Sequence, residues 1–177
     1  MSDEPNEPAR RAFEKHGALE RSENGYTVTT TAFDATVSAE PIEQEGRDAR
    51  FEVEVGMPSL DATVAGDGVA DVVEDGWFET LALRLEDAYE VAEVDSDTEP
   101  EIVRSDGRVT AQFAFLAWNA DTGVDDAKAI VDFVEGTYVQ GVIPGYEYED
   151  PVAGLLGRAT QQAGSEDGGA ERGGTPL

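Results

Sequence analysis

Between residues 26 and 55 apolar and polar positions alternate with a period of two. Tyr26, Val28 and Thr30 alternate with Thr27, Thr29 and Thr31. Phe33, Ala35, Val37 and Ala39 alternate with Asp34, Thr36, Ser38 and Glu40, and Phe51, Val53 and Val55 with Glu52 and Glu54. Successive side chains of a strand point to opposite faces, so this pattern predicts an antiparallel sheet buried on one face and wet on the other. Glu45-Gly46 separates the last two runs as a turn. Leu60 to Val64 predicts a further short strand, followed by a loop containing Asp61, Gly66, Asp67 and Gly68.

Elsewhere the period lengthens to that of a helix. Pro8 to His16 gathers Ala9, Ala12, Phe13 and His16 on one side, with Gly17 as its stop. Trp77 to Ala92 is the clearest amphipathic stretch. Trp77, Phe78, Leu81, Ala82, Leu85, Ala88, Tyr89 and Ala92 share one side, and Glu79, Glu86, Asp87 and Glu90 lie opposite. Ile102-Val103 and Val109 to Leu116 predict a hairpin around Ser105-Asp106-Gly107. A second long helix begins near Val124, with Thr122 and Asp125 as a capping box, buries Val124, Ala127, Ile130, Val131, Val134 and Tyr138, and ends at Pro144-Gly145. Asp150 before Pro151 is an N-cap and first-turn pair for a last helix reaching Gln162. The predicted class is α+β, a single antiparallel sheet covered on one face by helices, in the order α-β-β-β-α-β-β-α-α. Residues 8–162 are expected to form one domain, with a disordered N-terminus at 1–7 and a disordered Gly-rich acidic tail at 163–177.

Charge changes this picture in one respect. The chain has 177 residues, with 39 Asp and Glu against 12 Lys and Arg, a formal net charge of −27. Lys occurs only at Lys15 and Lys128. Nucleic-acid binding is disfavoured, because phosphate contacts need Lys and Arg to displace counterions, and so is an anionic membrane surface. High acid with little Lys points to a cell interior at molar salt, where the Debye length shrinks to about 3 Å and carboxylates keep a protein hydrated. The absence of an apolar run of membrane-spanning length, and of a basic and apolar leader at MSDEPNEPAR, predicts a cytoplasmic protein.

Candidate chemistry is sparse. There is no cysteine, which removes disulfides, thiolate metal sites and a Cys nucleophile. His16 is the single histidine and reads as a packing residue. No G-x-S-x-G elbow positions a serine for it. Gly66-x-Gly68 lacks the third glycine of a dinucleotide fingerprint, since position 71 is Asp71, and lacks the Lys-Ser/Thr of a phosphate loop. Asp71 to Glu101 holds twelve acids and only Arg84 as a base, but no calcium-loop spacing. No catalytic residue, metal site or cofactor is therefore assigned. Two features suggest a contact surface. One is Trp118 beside Asn119 at a strand end. The other is the segment from Tyr138 through Tyr146 and Tyr148, rich in tyrosine, glycine and proline.

GYTVTTTAFDATVSA, DGWFETLALRLEDAYEVA and RVTAQFAFLAWNADTGVDDAKAIVDFVEGTYVQGVIPGYEYEDPV together resemble an uncharacterised haloarchaeal family of small acidic proteins over about residues 8–160. The resemblance implies no activity and no site residues. The order of elements is similar to the type III secretion chaperone-like fold, which implies a protein-binding role. The expected function is a non-enzymatic protein-interaction or chaperone-like domain, using the open sheet face or the aromatics at Trp118, Tyr138, Tyr146 and Tyr148, with a protein partner or self-association. The alternative is a small enzyme working through carboxylates or a divalent cation, which needs acids converging in a pocket.

Overall fold

The structure is a computed structural model that describes residues 7–170, and the side chains of all of these except 44 and 162–170. Of the N-terminus expected to be disordered at 1–7, residues 1–6 lie outside the described residues, while Glu7 opens the first helix; of the tail at 163–177, residues 171–177 lie outside them. The chain begins with α1 (Glu7–Lys15) and continues through β1 (Leu19–Ser22), β2 (Gly25–Val28), β3 (Asp34–Gln44) and β4 (Arg47–Pro58). Three helical segments follow, α2 (Leu60–Thr63), α3 (Asp71–Leu85) and α4 (Ala88–Val91). The hairpin β5 (Glu101–Ser105) and β6 (Arg108–Ala117) leads into α5 (Ala120–Gly141) and α6 (Val152–Ala170). The strands form a six-stranded sheet in the order β1-β2-β3-β4-β6-β5, antiparallel at every pairing. The class is α+β, as the sequence pattern predicts.

The two-residue period sets which face is buried. Ala35, Val37 and Ala39 of β3 pair with Val55, Val53 and Phe51 of β4, which face Ala111, Phe113 and Phe115 of β6. All nine are buried. Helix α5 lies across this surface, with α1 on one flank and α3 and α4 on the other. Aromatic rings tie the layers together: Phe13 of α1 stacks on Tyr26 at 4.1 Å between centroids, and Phe51 on Phe115 at 5.4 Å. A side chain at Gly123 would place its Cβ 2.2 Å from the Phe51 ring, so glycine is what lets α5 close onto β4.

Four elements differ from the sequence expectation. Leu60 to Thr63 is a helical turn rather than a strand, because Ser59 caps it, its Oγ accepting from the Ala62 amide at 3.3 Å. Strand β1 was not anticipated, since Glu20-Arg21 breaks the apolar alternation and a four-residue edge strand needs little apolar surface. The helix expected from Trp77 starts at Asp71, where Asp71 and Glu74 meet the positive end of the helix dipole, so Asp75-Gly76 lies inside it. It stops at Leu85, where Glu86 and Asp87 oppose the negative end of the dipole. The turn there redirects α4, so that the Tyr89 hydroxyl accepts from the Ala114 amide at 2.9 Å. The last helix runs to Ala170, past Gln162, with no proline in between to stop it. The turns at Glu45-Gly46 and Asp106-Gly107 occur as predicted, with positive φ at Gly46, Asp106 and Gly107, and the two-residue loop after β5 suits the strand twist.

Candidate functional site

The helices occupy one face of the sheet, and the other face stays open. Its side chains are the polar halves of the alternating runs. Thr36 and Ser38 of β3 pair with Glu54 and Glu52 of β4, and these with Gln112 and Ala114 of β6. The segment from Asp95 to Pro100 continues the line of β5 irregularly. It bridges Leu116 at Asp95, and the Ser96 hydroxyl donates to the Ala114 carbonyl. Two arginines of β4 tie this segment to the sheet: Arg47 to Asp95 at 2.7 Å and Arg50 to Asp97 at 3.0 Å. The segment thus forms a wall, and between it and strands β3, β4 and β6 lies an open groove of about 450 Å³. Glu52, Glu54, Glu99 and Glu101 line it, with Arg50 as the basic side chain. Gln112 donates to Glu54 at 2.9 Å, which orients that carboxylate across the groove floor.

Trp118 lies at the far end of this wall. Its ring is 64 % exposed and packs against Gly46, with the Arg47 guanidinium 3.5 Å from the ring centroid. The Arg47 Nε is buried without an oxygen acceptor, and the indole face takes that place. Arg47 therefore links Trp118 to Asp95 and so to the groove wall.

The other predicted contact residues lie elsewhere or work within the fold. Asn119 is the N-cap of α5, its side chain accepting from the Thr122 amide at 2.9 Å, in place of the Thr122 and Asp125 box expected from sequence. Tyr138 is 1 % exposed, donates to the Pro58 carbonyl at 2.9 Å, and meets Phe33 and Trp77 edge-on. Burial pushes its hydroxyl pKa upward. Tyr148 donates to the Ile143 carbonyl and pairs with Val64, fastening the segment after α5 onto α2, and partial burial also raises its hydroxyl. Tyr146 is partly buried against the core. Gly46, beside Trp118, and Pro58, beside Tyr138, flank and end the twelve-residue β4, so these aromatics lie roughly 35 Å apart at ~3.3 Å per residue. They do not form one surface.

The groove residues Glu52, Glu54 and Gln112 were visible in sequence only as the wet side of the strands. What marks them is the irregular segment at 95–100, and its folding over the sheet has no signal in the periodicity. Among the described residues no three acids or histidines converge as a metal-binding group. The carboxyl raised by its surroundings is Asp126, through burial and the nearby charges of Asp125 and Glu93, and it does not line the groove. Among the described residues no helix is long and apolar enough to cross a membrane. No curated protein and no solved structure matches the chain. A family profile does match it, over residues 14–158, and on that span the chain belongs to a family of unknown function, DUF5813.

Proposed function

We propose that this is a protein-interaction domain that receives an extended basic segment of a partner on its open sheet face. The observation that carries the reading is the groove between β3, β4, β6 and the 95–100 segment, in which four glutamates face a single arginine already paired with Asp97. A partner's Lys and Arg would find carboxylates there, and charge complementarity of this kind directs encounter and register. Trp118, stacked on Arg47 beside the wall, adds a large exposed ring at one end, a residue type common among interface anchors. Nothing in this arrangement requires a reaction. A haloarchaeal cytoplasm fits the acid excess, since carboxylates there are hydrated rather than mutually repelling.

The test uses a defined ligand, an alternating Lys-Val peptide of eight residues, titrated into the isotopically labelled protein. Shifts should concentrate at Thr36, Ser38, Glu52, Glu54 and Gln112. The double variant Glu52→Lys/Glu54→Lys should weaken binding at least tenfold, while Glu79→Lys/Glu86→Lys, with the same charge change on α3 and the turn after it, should weaken it less than threefold. Equal losses in the two variants, or shifts confined to the helices, would overturn the proposal.

A further inference from the structure

On the helical side, α3 and the C-terminal end of α5 enclose a second groove, of about 390 Å³. Its apolar walls include Leu81 and Ile143, with Val72, 78 % exposed, at the lip. Trp77 is 5 % exposed and lines it, yet its Nε1 is buried with no hydrogen-bond partner. An indole nitrogen only donates, so what is missing is an acceptor. A buried donor left unmatched is costly, and such groups are rare in folded proteins. The space beside this N–H is kept by a glycine: a Cβ at Gly141 would meet the Trp77 Nε1 at 4.0 Å and no other atom within that distance.

Three further polar groups line the same groove without a protein partner among the described residues: the Thr137 hydroxyl, the Gln140 amide and the Arg84 guanidinium. Arg84, like Arg158, has no carboxylate partner among the described residues, although the chain has 39 acids and 12 basic residues. The groove thus combines apolar walls with two donor-only groups, the buried Trp77 Nε1 and the cationic Arg84, beside Thr137 and Gln140, which can donate or accept. Its volume falls toward the low end of small-molecule sites. A group that only accepts, carries negative charge and can take hydrogen bonds from several donors is a carboxylate.

We propose that the α3–α5 groove binds a small monocarboxylate with an apolar body, its carboxylate taking hydrogen bonds from Trp77 Nε1 and Arg84 and its chain or ring lying against Leu81 and Ile143. The site is separate from the open sheet face, and its test does not depend on that reading.

The chain has two tryptophans, so in a Trp118→Phe background the indole signal comes from Trp77 alone. Phenylacetate and hexanoate are titrated separately at 1 M KCl, with phenylacetamide as the uncharged control. A carboxylate should move the Trp77 indole proton downfield saturably and slow its exchange with solvent. Phenylacetamide should bind at least tenfold more weakly. Arg84→Gln should weaken carboxylate binding about tenfold. Gly141→Ala, which fills the space before the N–H, should abolish the indole shift while leaving the melting temperature within a few degrees. The proposal fails if neither carboxylate gives a saturable shift up to 50 mM. It fails equally if Arg84→Gln and Gly141→Ala bind as the parent does.

Discussion

Single side chains show where this molecule stores stability. Tyr138 sits among Phe33 and Trp77 with its hydroxyl on the Pro58 carbonyl, joining α5 to the end of β4. Tyr138→Phe should cost about 1 kcal/mol at pH 8, the net worth of one hydrogen bond, measured by urea unfolding. The pH dependence has a definite sign. Burial raises the folded hydroxyl above the ordinary range, so the native state holds the proton more tightly than the unfolded chain. That contribution is full below about pH 10 and is lost as pH rises further. The gap between Tyr138→Phe and the parent should therefore narrow between pH 8 and pH 11. Asp126 shows the same linkage at the acid end. Burial, Asp125 and Glu93 raise its folded carboxyl, so its ionisation costs stability once pH passes the unfolded value near 4. Asp126→Asn should stabilise the protein at pH 7 by about 0.5 kcal/mol or less, because the site is largely solvated, and the gain should shrink as pH falls toward 4.

At the scale of elements, the central fact is how closely α5 sits on the sheet. Gly123 faces the Phe51 ring so nearly that one added methyl would displace a fully buried aromatic from its stack with Phe115. Gly123→Ala should lower unfolding free energy by about 1–3 kcal/mol despite the better helix propensity of alanine. A neutral or stabilising result in urea unfolding would show that α5 can shift outward. Asn119→Ala tests the start of the same helix and should cost about 1 kcal/mol, since the Thr122 amide loses its acceptor. These elements also show the limits of periodicity. The apolar stripe from Val124 to Tyr138 identified α5, but its first turn belongs to a cap at Asn119, whose side chain also suits a contact surface. The stretch at Leu60 to Val64 reads as β-prone by composition, yet one serine hydroxyl decides it as a helical turn.

For the whole molecule the acid excess is the property to explain. The exposed face of the sheet, the outer faces of the helices and the 95–100 wall all carry carboxylates, and among the described residues the ion pairs to Lys and Arg engage only a minority of them. If the charge is an adaptation to molar salt, the melting temperature should climb steadily from 0.1 M to molar KCl as repulsion is screened. A flat or falling curve would refute that reading. Charge also divides the two grooves. Glutamates line the one on the sheet, whereas the one between α3 and α5 holds the cationic Arg84 and the unmatched Trp77 N–H.

The sequence by itself determined the α+β class, the buried face of each long strand, the two hairpin turns and the acid balance. These depend on local rules: a side-chain period, a glycine or aspartate at positive φ, and a count of charges. Only the tertiary structure decided which aromatics remain available. Tyr138 and Trp118 look alike along the chain, each a large ring near an element boundary. One, on α5, is sealed against Phe33 and Trp77, and the other lies open against Arg47. Exposure depends on what packs opposite, and that partner is distant in sequence. The same holds for both grooves. The segment at 95–100 is tied to Arg47 and Arg50, more than forty residues earlier in the chain, and the unmatched Trp77 Nε1 lies beside Gly141 at the distant end of α5.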